Sequence, residues 1–279
     1  MQTETNSIIG QLPPPTQPYW SEDQRLRARW ALNVVSILGV QTACANVPKI
    51  LRLVKLWVNQ RQKRTIFYVN AHCLNVANSD AAYFTILNQA SLVYADGIGI
   101  IWANRFLHGA QSEMAKATGA DWIEQFCTLA EMQKWRIYIL AGRYGVAAEA
   151  RRKLLQKWPS LQVVGVCDGF FLEKSEVQVL QEIQATAPHV VFVGMGTPRQ
   201  EKWLTARREQ IPAPVCWAVG ALFDYVAGIE PRVPYWMNML ALEWFWRLLV
   251  DPKGKWRRYL IGNPLFVYRI IRQKWFSKS

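Results

Sequence analysis

The sequence predicts an α/β protein: an open, mostly parallel Rossmann-like sheet flanked by helices, with a basic, aromatic-rich helical appendage at its C-terminal end. Three observations carry this expectation. Short apolar runs recur along the chain, and most are followed by stretches whose apolar residues return at helical spacing. The connections between them are short, as in sheets whose strands are joined by crossover helices. The runs are apolar throughout rather than alternating, as strands covered on both faces are.

Residues 1–30, which include PPPTQP, read as an extended N-terminal arm. The sheet domain is expected over 31–228. Its first strand is placed at Asn33–Val40 (NVVSILGV), and Pro48 then opens a helix with apolar residues at Ile50, Leu51, Val54, Trp57 and Val58. TIFYVNA forms the second strand, with a helix from about Ser79 to Gln89. SLVYA, the turn DGIG and the helix IIWANRFL follow. WRIYILAG, the turn RYG and VAAEARRKLLQKW repeat the pattern. LQVVGVCDG precedes an acidic helix, HVVFVGMG leads into another opened by TPRQEKW, and VCWAVGALFDY closes the series. In GTPRQ, Thr197, Pro198 and Gln200 fit an N-cap, first helical position and capping-box partner.

Composition narrows the function. The chain has 279 residues and a formal charge of +13, which favours nucleic acid, anionic lipid or anionic small molecules as partners. From Ile229 to the end there are ten Lys/Arg against three Asp/Glu, a net +7, together with eleven aromatics. Basic residues interleaved with aromatics suit a membrane surface or single-stranded nucleic acid. Fourteen tryptophans point the same way, because the indole favours boundaries between apolar and wet surroundings. The five cysteines are scattered and read as small buried hydrophobes. The three histidines are far apart, so no zinc site is expected and no metal or cofactor is assigned. The polar start MQTETNS and the lack of a long apolar run predict a cytoplasmic protein.

Ligands in open α/β sheets sit beyond the C-terminal strand ends, so each polar or glycine-bearing exit is a candidate. Those exits are Asn70, Asp96-Gly97, Gly142-Arg143, Gly194 to Gln200, and Gly220 with Asp224. Asp96 is a candidate general base. Gly194 and Gly196 could let backbone approach an anion at a helix start. No G-x-G-x-x-G dinucleotide motif and no G-x-x-x-x-G-K-[ST] occurs. Arg247 stands one helical turn after Glu243 and could pair with it or serve a site.

Taken together, ADGIGIIWA, ATGADW, VGMGTPRQEKWL, AVGALFDYVAG, RVPYW, LEWFWRLL and RRYL-x-GNP resemble the WecG/TagA/CpsF glycosyltransferase family, in order, across roughly residues 33–266. The resemblance implies an inverting, metal-independent transfer of an N-acetylmannosamine-type or related sugar. The donor would be a UDP-sugar and the acceptor a polyprenyl-diphosphate-linked sugar at the cytoplasmic membrane face, in surface-polysaccharide or teichoic-acid-type synthesis. It implies Asp96 as the base and Arg247 and Arg257 as cations that stabilise the departing diphosphate. It places Asn70 in the donor pocket and Gln200 and Asp224 at the nucleotide sugar; with Lys116 and the strand-exit glycines Gly97, Gly142, Gly194, Gly196 and Gly220 they make up the expected substrate site, and a homo-oligomer is left open. Three departures bear on detail. Tyr68 stands where the family has a threonine before Asn70, Lys116 replaces an arginine, and DPKGKWRRY carries lysines and Gly254 where arginine is usual. Two other classes remain in view: a basic nucleic-acid-binding protein and an NAD-dependent nucleotide-sugar-modifying enzyme.

Overall fold

A computed structural model describes residues 32–109, 114–171, 173–231, 233–234, 236–237 and 242–276. The arm expected over 1–30 therefore lies outside the described residues. The described residues from Val34 onward form a single compact unit.

Eight strands make the sheet: β1 (Val34–Ile37), β2 (Val40–Ala43), β3 (Arg64–Val69), β4 (Leu92–Ala95), β5 (Arg136–Ala141), β6 (Gln162–Cys167), β7 (Val190–Gly194) and β8 (Val215–Ala218). Their order is β1-β2-β4-β3-β8-β7-β5-β6, and every pairing is parallel except β1 with β2. The Rossmann-like expectation holds. The single strand expected at Asn33–Val40 is instead an antiparallel hairpin turning at Leu38-Gly39, with Val34 opposite Ala43. Gly39 takes a positive φ of 79° at the turn, so the glycine marks the bend between two strands rather than the end of one.

Two helices went unread in the sequence. Ala71–Ala77 follows β3 directly, capped by the Asn70 side chain, which accepts from the Cys73 amide at 3.1 Å. Gly119–Met132 is opened by Thr118, whose backbone amide and hydroxyl both donate to Asp121 Oδ2, at 2.9 and 2.6 Å.

The strands are apolar throughout because helices cover both faces. One face holds an aromatic cluster: Trp122 stacks on Trp217 with ring centroids 4.1 Å apart, and Phe126 meets Phe192 edge-on at 4.9 Å. Four tryptophans (Trp57, Trp122, Trp135 and Trp217) are thus core residues, so tryptophan content alone overstates the interface-seeking surface. Of the five cysteines, all but the half-buried Cys167 are buried, as expected of small hydrophobes.

The C-terminal segment folds back over the strand exits. It comprises helices Glu243–Val250 and Pro252–Trp256, a π-helical turn at Arg257–Ile261, and a last helix, Gly262–Phe276. Phe266 and Ile270 of the last helix are buried against the domain. Polar anchors fix its register. Arg269 Nη1 donates to Asn75 Oδ1 at 2.8 Å, the Leu38 amide donates to Gln273 Oε1 at 2.8 Å, and Lys274 Nζ donates to the Leu107 carbonyl at 2.9 Å.

Gly194, at the end of β7, has no room for a side chain. A Cβ there would stand 2.4 Å from the Gly220 carbonyl oxygen and 2.9 Å from Ala141 Cβ. Gly194→Ala is accordingly expected to destabilise the fold by about 1–3 kcal/mol through overpacking of rigid backbone, read as a lower midpoint in urea.

Candidate active site

The strands that converge on the site are neighbours, β4, β3, β8 and β7. Their exits contribute Asp96, Asn70, Gly220 and Gly196 to a polar chamber of about 550 Å³, which also takes Lys116 and Tyr68. The start of helix Gly119–Met132 faces the same space through Thr118 to Asp121. A helix N-terminus presents free amides and partial positive charge to it.

A second chamber of about 450 Å³ lies beside the first, between helix Ile98–His108 and the last helix. Its walls are mainly carbon. Asn70, His72, Asp96, Glu243, Arg247 and Arg258 line both chambers and form the partition between them.

Asp96 is held at the centre of this partition. Its amide donates to the Val69 carbonyl at 2.8 Å, and its Oδ2 accepts from Asn70 Nδ2 at 3.1 Å. Asn70 therefore fixes the carboxylate with one end of its amide and caps a helix with the other. Burial pushes the Asp96 carboxyl above the usual aspartate range, opposed by the charge of Arg247. Arg247 pairs with Glu243 Oε1 at 2.5 Å and lies over the Tyr225 ring at 5.3 Å. Glu243 also faces Lys116 Nζ at 3.8 Å, so one carboxylate ties the C-terminal segment to the sheet domain across the chamber mouth. Arg247 thus pairs with Glu243 and also lines both chambers.

Other sequence candidates fall outside the chambers. Gln200 is fully buried. Its Oε1 accepts from the Gly220 amide at 3.0 Å and its Nε2 donates to Glu201 Oε1 at 2.9 Å, so it shapes the Gly220 turn from behind. Gly142 belongs to a turn at the β5 exit, and a Cβ there would meet Val146 at 2.4 Å. Gly194 is a packing residue. Asp224 sits in the first turn of helix Leu222–Val226, and its neighbour Tyr225 is the one that reaches the polar chamber. Arg257 is exposed, with its guanidinium over the Trp256 ring, whereas Arg258 points into the partition.

The capping box expected at Thr197–Gln200 does not form. The helix begins at Arg199 with Pro198 as its cap residue, and the Thr197 hydroxyl donates to Glu201 Oε1 at 2.9 Å. Glu201 is fully buried, and its Oε2 has no hydrogen-bond partner among the described residues. Burial raises its carboxyl from 4.5 to about 7. Between those values the unfolded chain has released a proton that the folded chain still holds, so stability falls as pH rises through that window. The loss is up to about 3 kcal/mol. Glu201→Gln is expected to flatten that slope in thermal unfolding curves recorded from about pH 5 to 8.

Sequence reasoning also missed His72 and Arg258. His72 stands two residues past the Asn70 exit, a position that alone could have drawn attention to it. Burial first, and Arg258 second, lower its pKa to about 4, which leaves a neutral imidazole at the partition at physiological pH.

Among the described residues no group of three or more His, Cys, Asp or Glu could hold a metal ion. The partition carries a half-buried carboxylate flanked by cations, which suits proton removal from a hydroxyl and stabilisation of a departing anion.

The sequence profile of the Glycosyl transferase WecG/TagA/CpsF family matches residues 35–279. An N-acetylglucosaminyldiphosphoundecaprenol N-acetyl-beta-D-mannosaminyltransferase of Staphylococcus aureus strain MRSA252 is 27% identical over 245 residues, covering 86% of this chain and 93% of that protein. The protein of the same name from strain NCTC 8325 gives the same identity and coverage. The profile match spans most of the chain, from β1 through the last helix, and the chain therefore belongs to the WecG/TagA/CpsF family of glycosyltransferases.

Proposed function

We propose that the protein transfers an N-acetylmannosamine-type sugar from a UDP-sugar to a polyprenyl-diphosphate-linked N-acetylglucosamine, with inversion and without a metal. The observation that carries this reading is the placement of Asp96 on the wall shared by a polar and an apolar chamber. The polar chamber takes the nucleotide sugar. Its diphosphate lies near the start of helix Gly119–Met132, with Lys116, Arg247 and Arg258 supplying positive charge. The acceptor enters from the other side, so its hydroxyl meets the anomeric carbon from the face opposite the leaving group. Asp96 takes the hydroxyl proton as the new bond forms and the bond to UDP breaks. A single displacement of this kind inverts the anomeric centre. The names of the Staphylococcus aureus relatives supply the acceptor and sugar class.

The test is a panel of UDP-sugars against a polyprenyl-diphosphate-N-acetylglucosamine acceptor, run with and without a chelator. Product from an N-acetylmannosamine-type donor, unaffected by the chelator, supports the reading. No product from any donor overturns it, and loss of product on chelation overturns its metal-free mechanism.

The same reading places the protein on the inner face of the membrane. No helix of the described residues is long and apolar enough to cross a bilayer. The C-terminal segment nevertheless exposes Trp256, Leu260, Tyr268, Trp275 and Phe276 among its lysines and arginines. Each basic side chain close to anionic lipid contributes ~1 kcal/mol. The full chain is expected to co-sediment with vesicles rich in phosphatidylglycerol and to be released in part by high salt. Equal binding to oligonucleotides and none to vesicles would favour the nucleic-acid class.

A further inference from the structure

We propose that the apolar chamber is a lipid groove. It would hold the first isoprene units of the acceptor's polyprenyl chain, with the diphosphate at the partition end and the sugar turned toward Asp96. The proposal rests on the transferase reading above and adds where the lipid lies.

Helices Ile98–His108 and Gly262–Phe276 form the two sides of the groove. Phe266 and Ile270, both buried, make its floor, while Trp102, Phe106, Val267 and Ile271 stand exposed along its rim. A slot whose rim leaves large aromatic and aliphatic side chains in water marks a binding surface rather than a core. Its volume of about 450 Å³ falls within the range of ligand pockets, roughly 300–1,000 Å³.

The two ends of the groove differ in chemistry, and this selects the occupant. One end is the partition itself, with Arg247 and Arg258 beside Asp96. The other runs along one face of the last helix. Val267, Ile271 and Trp275 follow at intervals of four residues, and Trp275 and Phe276 are 71% and 76% exposed. Lys274 reaches back over the Phe106 ring at 5.9 Å. A ligand that satisfies both ends needs an anionic group near a reacting hydroxyl, and then a long flexible apolar chain. A polyprenyl-diphosphate-linked sugar has this form.

Gly99 offers a clean probe. It lies in the helix and lines the apolar chamber only. A Cβ there meets nothing closer than Phe266 Cε1 at 3.9 Å, so a longer side chain grows into the slot without displacing the wall.

The experiment is photolabelling of the full chain with a polyprenyl diphosphate carrying a benzophenone on its second isoprene unit, followed by peptide mapping. Labelled peptides are expected from 98–108 and 262–276. Gly99→Leu and Ile271→Asp, the latter on the exposed rim, are each expected to lower that labelling at least about tenfold. Labelling spread over other exposed apolar faces, or directed to residues outside the two helices, overturns the groove. So does labelling unchanged in the variant that folds, as judged by circular dichroism. Groove labelling without sugar transfer from any UDP-sugar removes the transferase reading and leaves the lipid site. Transfer with labelling elsewhere does the reverse.

Discussion

Asp96→Asn is expected to lower kcat by about 10²–10⁴-fold, the usual contribution of a positioned general base. The affinity for UDP-sugar should stay within about threefold, since an interaction lost only at the transition state leaves ground-state binding in place. Asparagine is nearly isosteric, and the main chain at this position is held by the amide bond to Val69, so the fold has no reason to change. Asp96 also reaches both chambers while the other polar exits do not combine that access with basicity. The pH dependence sharpens the test. Burial raises the Asp96 carboxyl above its ordinary value. The carboxyl must be ionised to accept a proton, so activity should fall as pH drops through that raised value. The acid limb of kcat/KM is thus expected at higher pH than a solvent-exposed aspartate would give, and absent from the residual rate of the variant. Calorimetric titration with UDP-sugar and a pH–rate profile check the two halves. A variant that turns over normally removes Asp96 from the base role.

The sheet and half of the site were legible in the sequence for the same reason. A parallel strand covered on both faces must be apolar until it leaves the sheet, so its first polar residue marks the exit. Asn70 and Asp96 stand out for that reason, and the structure sets them 3.1 Å apart. Gly196 and Gly220 follow the same rule and reach the chamber. Where two residues share a type, the rule fails. Gly142 and Gly194 look like ligand turns, yet each has its Cβ position filled by neighbouring protein. Gln200 follows a glycine turn as a substrate contact would, but its amide is spent on Gly220 and Glu201. Only three-dimensional packing tells a glycine that admits a ligand from one that admits another strand. The lateral order of the strands was also invisible. It puts β5 beyond β7 and so carries the Gly142 turn away from Asp96.

The sharpest such ambiguity is the Arg257-Arg258 pair, and it yields the second large effect. Arg258→Ala is expected to reduce kcat by about 10²-fold, comparable to the loss of one donor to a developing anion. Arg257→Ala should stay within about twofold, as for an exposed charge with little to hold. Successive residues on a helix point about a quarter-turn or more apart, so a one-residue error in register exchanges the inward cation for the outward one. Here the π-helical turn at Arg257–Ile261 sets that register, and tertiary packing of Tyr259 and Phe266 fixes the turn. A structural role for Arg258 is separable from a role in the chemistry by its electrostatic signature. Its charge helps hold down both the Asp96 carboxyl and the His72 imidazole. Removing it should move the acid limb of the rate profile to higher pH and raise the His72 titration seen by NMR. Equal kinetic losses at the two arginines, with neither titration displaced, would mean that the segment acts by packing and that the departing diphosphate draws its positive charge from Arg247 and Lys116 instead.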